Sequence, residues 1–313
     1  MLGSIHDAED LVQETYLRAW RSYEGFEGRA SLRTWLYRIA TNACLTALEH
    51  RARRPLPVGI GAPSTDPEGD LSAIPPEITW LQPLPDALLA FDRSAGAVAG
   101  TATFAADPAS VVAARAGLRL ALVAALQYLP PRQRAVLILR DVLGWRAAEV
   151  ADLLGLTAAA VASLLKRART RLAEVAPDVE EVAEPTEAEQ RVILDRWARA
   201  FVNADVEALM ELLTDDAIWE MPPQPMWFQG AAMLRRLLGF RMRQHGRYRR
   251  MVATSANGQR AFAVYSVADG DDGRLIAESL QVITFRGDRI AKVSAFRTAE
   301  LVGMCGLPME VER

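Results

Sequence analysis

A segment rich in proline and glycine, from residue 55 to residue 110, divides the sequence. Both residue types end regular helices, so one continuous helical domain cannot run across it. Its acidic residues are opposed only by Arg93. They are Asp66, Glu68, Asp70, Glu77, Asp86, Asp92 and Asp107. This composition predicts a linker, with one short ordered helix around Asp86 to Phe91.

The overall composition is that of an ordinary globular protein of more than one domain. The chain has 313 residues, 50% of them hydrophobic, and a formal net charge of −3. Cys44 and Cys305 are far apart and form no CxxC pattern, so no disulfide framework or metal site is expected. The N-terminus is too polar for a signal peptide, and no apolar run is long enough for a bilayer. These features predict a cytoplasmic protein without membrane contact.

Helical periodicity precedes the linker, where residues 29–54 carry six arginines against Glu49 alone. Apolar side chains recur at helical spacing before and after a loop, Tyr23 to Gly28, whose glycines separate two helices. Basic charge returns from residue 111 to residue 175. This alternation of charge suggests partners that the net charge conceals.

A helix-turn-helix is predicted in the second helical part. Ala147 to Leu154 forms a short helix, and Gly155 follows where a left-handed turn favours glycine. Thr157 can cap the next helix, which runs from Ala158 to about Glu174. This second helix is basic and is of the type that enters the DNA major groove. A helical hairpin with a cationic last turn would look similar, so the pair alone leaves both readings open.

The neighbouring residues make a family resemblance specific. The segment LPPRQRAVLILRDVLGWRAAEVADLLGLTAAAVASLLKRARTRL resembles region 4 of extracytoplasmic-function (sigma-70 family, group 4) sigma factors. The segment DAEDLVQETYLRAWRSYEGFEGRASLRTWLYRIATNACLTALEHRARRP resembles their region 2. The resemblance implies two all-α domains, at residues 1–54 and 111–175, and a protein that is not an enzyme. It implies binding to the β and β′ subunits of core RNA polymerase and to promoter DNA, without cofactor or metal.

Residue roles follow from the resemblance. An acidic helix face is expected to bind polymerase, although a solvated acidic helix has the same composition; its residues are Asp7, Glu9, Asp10, Gln13 and Glu14. The −10 element, with an unstacked base, is expected at Phe26, Arg33, Trp35, Tyr37, Arg38, Thr41, Asn42, Arg51, Arg53 and Arg54. Aromatic side chains can hold an unstacked base and arginines contact phosphates. Trp35 and Ile39 can equally be core residues.

The −35 element is assigned to the second helix of the helix-turn-helix. The expected contacts are Thr157, Ser163, Lys166, Arg167, Arg169, Thr170 and Arg171. Ala162 and Leu164 stand where family members often have lysine and arginine, which puts base reading by the first turns in doubt. The first helices of region 2 are missing, so we expect a misassigned or truncated start and exposed apolar surface.

The acidic linker and the C-terminal part complete the resemblance. The linker of this family passes through the active-centre cleft and RNA-exit channel of polymerase. Residues 78–89 are similar to a motif of the subgroup with an extra C-terminal domain. After a second linker, residues 176–185, residues 186–313 resemble the SnoaL-like fold, an α+β cone-shaped barrel. Its helices are expected at Glu189 to Phe201 and Asp205 to Leu213, and its strands at Phe262 to Ser266, Glu278 to Phe285 and Ile290 to Phe296.

Two hypotheses describe the function of this C-terminal domain. Its candidate pocket residues are Trp197, Trp219, Trp227 and Tyr265, with Met221, Phe228 and Phe296 in the same wall. We favour a regulatory domain with a small-molecule ligand as a candidate partner. The alternative is a SnoaL-like isomerase or hydrolase, or a ligand sensor, fused to a helix-turn-helix regulator. Asp195, Glu220 and His245 are then the acid–base candidates, although their spacing alone supports no pairing.

Overall fold

The computed structural model describes residues 1–28, 30–49, 52–70, 74–88, 119–175, 185–245, 249–267 and 273–312. These residues form two compact units. The first unit contains residues 1–54, 81–83 and 119–175 of the described chain, and the second contains residues 55–80, 84–88 and everything from residue 185 onward.

Two long helices open the first unit. Helix α1 spans Ile5–Ser22 and begins where the Ser4 hydroxyl accepts a hydrogen bond from the Asp7 amide. A 3₁₀ turn, Tyr23–Gly25, and a short loop lead to α2, Leu32–Glu49. Leu11 and Ala43 are buried where the two helices pack together. The outer side of α1 presents apolar residues to solvent, as expected, with Trp20 84% exposed.

Four further α-helices lie in the described part of the first unit. Helices α3, Leu120–Leu126, and α4, Pro131–Leu137, precede a π-helical turn, Ile138–Val142. Helices α5, Ala147–Leu154, and α6, Ala158–Val175, form the predicted helix-turn-helix. The fully buried residues of their common core are Val136 on α4, Val150 on α5, and Val161 and Ala168 on α6. This periodicity of apolar positions is what buries one face of each helix.

Gly155 makes the turn between α5 and α6 possible. Its φ of 65° lies in the left-handed region, and its amide donates to the Ala151 carbonyl at the end of α5. The Thr157 hydroxyl then accepts from the Ala160 amide at 3.1 Å and caps α6. Both features were predicted from residue type.

A curved sheet dominates the second unit. Helices α7, Glu187–Val202, and α8, Val206–Leu212, are followed by strands β1, Leu213–Glu220, and β2, Trp227–Gln229. Helix α9, Ala231–His245, precedes β3, Arg249–Ala256, β4, Gln259–Val267, β5, Arg274–Arg286, and β6, Arg289–Phe296. The short helix α10, Glu300–Met304, and strand β7, Glu310–Glu312, complete the unit.

The strand order is β2-β1-β6-β5-β4-β3, and β7 pairs with β5. The β1–β6 pair is parallel, whereas the other pairs are antiparallel. Helices α7, α8 and α9 pack on one face through Trp197, Leu209 and Leu234, which are all fully buried. The predicted α+β domain, with strands at β4, β5 and β6, is confirmed.

The first part of the acidic linker lies on this sheet. We call residues 55–70 the strap. The Val58 amide donates to Glu220 Oε2 at 3.3 Å, and the Ser64 amide donates to the Trp227 carbonyl at 2.7 Å. The Trp227 indole N–H donates to the Gly61 carbonyl at 2.9 Å. The strap therefore runs along the β1–β2 side of the sheet instead of serving as a separate spacer.

A second linker contact forms at the β3–β4 turn. The Leu84 amide donates to Asn257 Oδ1 at 2.8 Å, and the Asn257 amide donates to the Leu84 carbonyl at 2.7 Å. Asp86 Oδ1 accepts from the Gly258 amide at 2.9 Å. The helix expected around Asp86 to Phe91 is a 3₁₀ turn at Asp86–Leu88, and its remaining residues lie outside the described chain.

Among the described residues, no single helix is long and apolar enough to cross a membrane. Helix α5 and residues 158–174 of α6 reach that length and composition only together, and a bend of 101° separates them.

We predict that Gly155→Ala destabilises the first unit by about 1 kcal/mol, because a side chain disfavours the left-handed conformation. A Cβ at this position meets no atom within 4 Å, so backbone strain is the whole expected effect. Urea unfolding monitored by circular dichroism measures the change. Gly25→Ala is the matched control, since its Cβ is also unobstructed and its φ is not left-handed. Equal stability of Gly155→Ala and the parent would contradict the prediction.

Candidate functional site

Three aromatic side chains cluster where α1 gives way to α2. The rings of Tyr23 and Phe26 stack with centroids 6.4 Å apart, and those of Phe26 and Trp35 lie 5.0 Å apart. Tyr23 is exposed, and Phe26 and Trp35 are partly exposed. Trp35 is therefore not a fully buried core residue, and a partly open aromatic cluster can stack with an unstacked base.

The following turns of α2 contact other helices of the first unit. The Tyr37 ring meets the Trp145 ring edge-on at 5.1 Å, and Arg38 donates to the Asp152 carbonyl at 3.2 Å. The Arg33 guanidinium lies 5.6 Å from the centre of the Tyr37 ring. Asn42 is exposed, whereas Thr41 is only 6% exposed and does not reach the surface. Part of the predicted −10 surface is thus engaged inside the unit.

The arginines after α2 are engaged as well. Arg53 stacks on the Tyr128 ring, with its guanidinium 4.0 Å from the ring centre. Arg54 pairs with Asp7 at 2.6 Å, and both side chains are largely buried. Asp7 was predicted to bind polymerase and Arg54 was predicted to bind DNA, but in this structure the two side chains bind each other. Arg51 lies outside the described residues.

The other four residues predicted to bind polymerase lie on the solvent-facing side of α1. Glu9, Asp10, Gln13 and Glu14 are all exposed. Glu14 accepts from Arg18 at 2.6 Å, a pair of exposed side chains one helical turn apart. Exposed pairs of this kind contribute little to stability, so the carboxylates remain accessible to a cationic partner.

Some polar side chains of helix α6 bind groups within the first unit, and others are exposed to solvent. Arg169 forms a bidentate pair with Asp141, at 3.0 and 2.7 Å, and the Thr170 hydroxyl donates to the Lys166 carbonyl. Ser163 is exposed, and so are three cationic side chains without an ion pair among the described residues, namely Lys166, Arg167 and Arg171. These three are the best placed to contact phosphates.

Arg134 supports the helix-turn-helix from within, a role that we did not predict. Its guanidinium donates to the Gln127 side chain at 3.0 Å and to the carbonyls of Gln127 and Leu129 at 3.2 and 3.3 Å. Burial lowers the pKa of Arg134 to about 10, so the group remains charged at neutral pH. The charge satisfies carbonyl groups that the end of α3 leaves without helical partners.

The second unit contains a cavity of about 460 Å³ that is partly open to solvent. Its apolar wall comes from the helices and the sheet, and includes Phe201, Trp219, Met221, Leu237, Leu238 and Met242. The polar groups at its surface include Arg241, Arg297 and Glu278. Asp70 of the strap and Ile74 also line it. A volume of this size suits a small organic molecule.

The predicted pocket residues take different positions. Trp219 lines the cavity, and Trp197 packs behind it with ring centroids 6.0 Å apart. Trp227 and Tyr265 lie outside the lining, because Trp227 binds the strap and the Tyr265 hydroxyl donates to the Pro308 carbonyl at 2.8 Å. Strand alternation explains Tyr265, since its neighbour Val264 faces the cavity instead.

The three acid–base candidates are not brought together among the described residues. Asp195 is exposed on α7, and the side chain of His245 lies outside the description. Glu220 is fully buried and lies outside the cavity lining, where it binds Lys292 at 2.8 Å and Ser294 at 2.6 Å. No cluster of metal-ligating side chains occurs in the described parts of the chain either.

Comparison with known proteins matches three segments of the chain to families. Residues 1–54 match the sigma-70 region 2 family, residues 119–172 match the sigma-70 region 4 family, and residues 194–293 match the SnoaL-like domain family. The ECF RNA polymerase sigma factor SigG of Mycobacterium tuberculosis (strain ATCC 25618 / H37Rv) is 48% identical over 313 residues, covering 98% of this chain and 79% of the relative.

The chain belongs to the extracytoplasmic-function sigma factors. The crystal structure of the sigma factor SigJ from Mycobacterium tuberculosis has the same fold, with a TM-score of 0.61 and 21% identity over 98% of this chain and 92% of SigJ. The ECF sigma factor SigW of Bacillus subtilis (strain 168) is 46% identical over 55 residues, which are 18% of this chain and 28% of SigW. Members of the family bind core RNA polymerase and promoter DNA, and they are not enzymes.

We predict that Arg134→Met destabilises this sigma factor by about 2–4 kcal/mol, because the carbonyls of Gln127 and Leu129 lose a charged donor inside the protein. Thermal unfolding followed by circular dichroism measures the loss. Arg132→Met on the same helix is the control. Because Arg132 is exposed, we expect its replacement to change the stability little. Similar melting of the two variants would refute the role of Arg134.

Proposed function

We propose that the sigma factor opens promoters by holding an unstacked −10 base on the aromatic cluster of Tyr23, Phe26 and Trp35. The support is the exposure of Tyr23 and the partial exposure of Phe26 and Trp35 around the start of α2. Arg33 and Asn42 on the same helix are also exposed. Stacking on aromatic rings accepts any base and stabilises the unstacked strand.

Phosphate contacts to the −35 element are proposed for Lys166, Arg167 and Arg171, and polymerase binding for Glu9, Asp10, Gln13 and Glu14. The exposure of these residues supports both assignments. Tyr37, Arg38, Arg53 and Arg54 have partners inside the first unit and must exchange them for DNA. This competition predicts weak DNA binding by the sigma factor alone and stronger binding once polymerase holds it. The site of action is the cytoplasm, where RNA polymerase works.

The SnoaL-like domain regulates this activity through the linker, and the cavity makes a small-molecule ligand a candidate effector. The observation behind the regulatory role is the attachment of the linker at the strap and at the β3–β4 turn. A linker that must enter polymerase cannot keep all of these contacts. The alternative of an enzyme fused to a DNA-binding module loses support, because neither Asp195 nor Glu220, the carboxylates expected to act as its acid and base, lines the cavity.

Run-off transcription with core polymerase tests the initiation role, and Trp35→Ala tests the base-holding cluster. We expect about tenfold less open complex, because stacking contributes roughly 1–3 kcal/mol per base. Trp35→Phe, which keeps an aromatic face, is expected to retain most of the activity. Permanganate reactivity of unpaired thymines measures opening. Unchanged opening in Trp35→Ala would exclude the cluster as the base-holding site.

Asn257→Gly tests regulation through the linker, since glycine keeps the left-handed backbone, φ 57°, but removes the acceptor for the Leu84 amide. The lost hydrogen bond weakens docking by about 1 kcal/mol. We expect faster exchange of the Leu84 amide and more run-off transcript. Asn257→Asp preserves the acceptor and is the control. Faster exchange with unchanged transcription would separate docking from regulation and reject the proposal.

A further inference from the structure

The cavity of the SnoaL-like domain contains polar groups that the protein leaves unsatisfied. Gln224 and Gln281 are 5% and 3% exposed, and the side-chain oxygen of each has no hydrogen-bond partner among the described residues. The Nε atom of Arg241 is likewise buried without a partner in the described chain. All three residues line the cavity. Buried polar groups are normally paired, so such a set at one cavity indicates partners that come from outside.

The charges at the cavity already neutralise one another. Arg297 lies 3.8 Å from Glu278, and Arg241 donates to the Gly69 carbonyl of the strap. Burial and the neighbouring Arg297 lower the pKa of Arg241, whereas the carboxylates of Asp70 and Asp66 raise it. The lining therefore contains two arginines, Arg241 and Arg297, and two carboxylates, Asp70 and Glu278. A ligand needs no net charge to fit here.

We propose that this cavity binds an uncharged, largely apolar molecule with hydroxyl groups, and that the strap closes over it. The inference rests on the proposed regulatory role of the domain and names the chemistry of its effector. A hydroxyl group is both a donor and an acceptor, so it can satisfy a glutamine oxygen and the Arg241 N–H alike. The apolar wall of Phe201, Trp219 and Met221 receives the remainder of the molecule.

The strap takes part in this site directly. Asp70 lines the cavity, and Gly69 and Glu68 hold the α9 arginines Arg241 and Arg236, the latter at 3.6 Å. A bound molecule gains contacts with Asp70 only while the strap is docked. It therefore binds the docked state more tightly and stabilises it, and docking in turn raises the affinity for the molecule.

Bisphenol A and its dimethyl ether form a suitable pair of probes, because they share an apolar body and differ in hydroxyl donors. Isothermal titration calorimetry with the full chain compares their affinities. We expect bisphenol A to bind at least tenfold more tightly, since the ether cannot donate to the glutamine oxygens. Equal affinities, or no binding of either probe at millimolar concentration, would overturn the ligand class.

Two variants locate the binding. Gln281→Leu is expected to reduce the tenfold preference to about threefold, because one of the two acceptors for the hydroxyl donors is lost and Gln224 remains. Gln133→Leu is the matched control, since Gln133 also has a buried unpartnered oxygen but lies on α4 of the first unit. Circular dichroism verifies that both variants fold. A tenfold preference that survives Gln281→Leu would place the probe elsewhere and reject the site.

Amide hydrogen exchange tests closure by the strap. The Ser64 amide, bonded to the Trp227 carbonyl at 2.7 Å, reports docking, and the Ala208 amide, bonded to Asp205 at 3.0 Å, is the control. At ten times the dissociation constant of bisphenol A, we expect about tenfold slower exchange at Ser64 and little change at Ala208. Unchanged exchange at Ser64 despite binding would reject closure and leave the ligand class standing.

The same experiments separate this inference from the regulatory proposal. Transcription by Asn257→Gly and Asn257→Asp is measured without any probe, so its outcome is independent of the cavity. A failure of probe binding overturns the ligand class while linker regulation persists. A failure of linker regulation leaves the measured affinities unchanged.

Discussion

A buried carboxylate ties the linker to the sheet. Glu220 is fully buried, and a charge in that position is stable only with partners that replace water. Lys292 and Ser294 on β6 provide two of them, and the Val58 amide of the strap provides the third. The same side chain therefore joins the parallel β1–β6 pair and fixes the start of the strap. Further along, the strap makes additional contacts with Trp227 and Arg241.

Several of the residues proposed to bind the promoter already have partners within the protein. Arg38, Arg53, Arg54 and Arg169 were all predicted to face DNA, yet each has a partner within the first unit. An arginine that contacts DNA in the promoter complex is either paired with another group or fully hydrated in the free protein. Intramolecular partners lower the affinity of the free sigma factor for DNA by the free energy of the contacts that must be broken. Polymerase can supply that free energy by binding the conformation of the sigma factor in which these contacts are broken.

The sequence was sufficient for the elements that carry strong local signals. Gly155 and Thr157 mark the turn and the cap of the helix-turn-helix, and alternation in β4, β5 and β6 marks strands with one buried face. The docking of the linker had no such signal, because the groups involved are largely backbone amides and carbonyls, at Val58, Ser64 and Gly61. Backbone groups are the same in every residue type, so their partners cannot be read from side chains. Arg134 was missed for a related reason, since its carbonyl partners are also invisible in the sequence.

Strand alternation explains why Glu220, an acid–base candidate of the enzyme alternative, does not line the cavity. Along β1, Trp219 lines the cavity and Met221 follows it, whereas Glu220 between them lies outside the lining and is neutralised by Lys292. A shift of one residue would place the carboxylate inside and the tryptophan outside. The observed register gives the cavity an apolar wall on this side, near the unsatisfied amide oxygens of Gln224 and Gln281. Fold alone does not decide between an enzyme and a sensor, and the position of Glu220 outside the lining removes one acid–base candidate of the enzyme alternative.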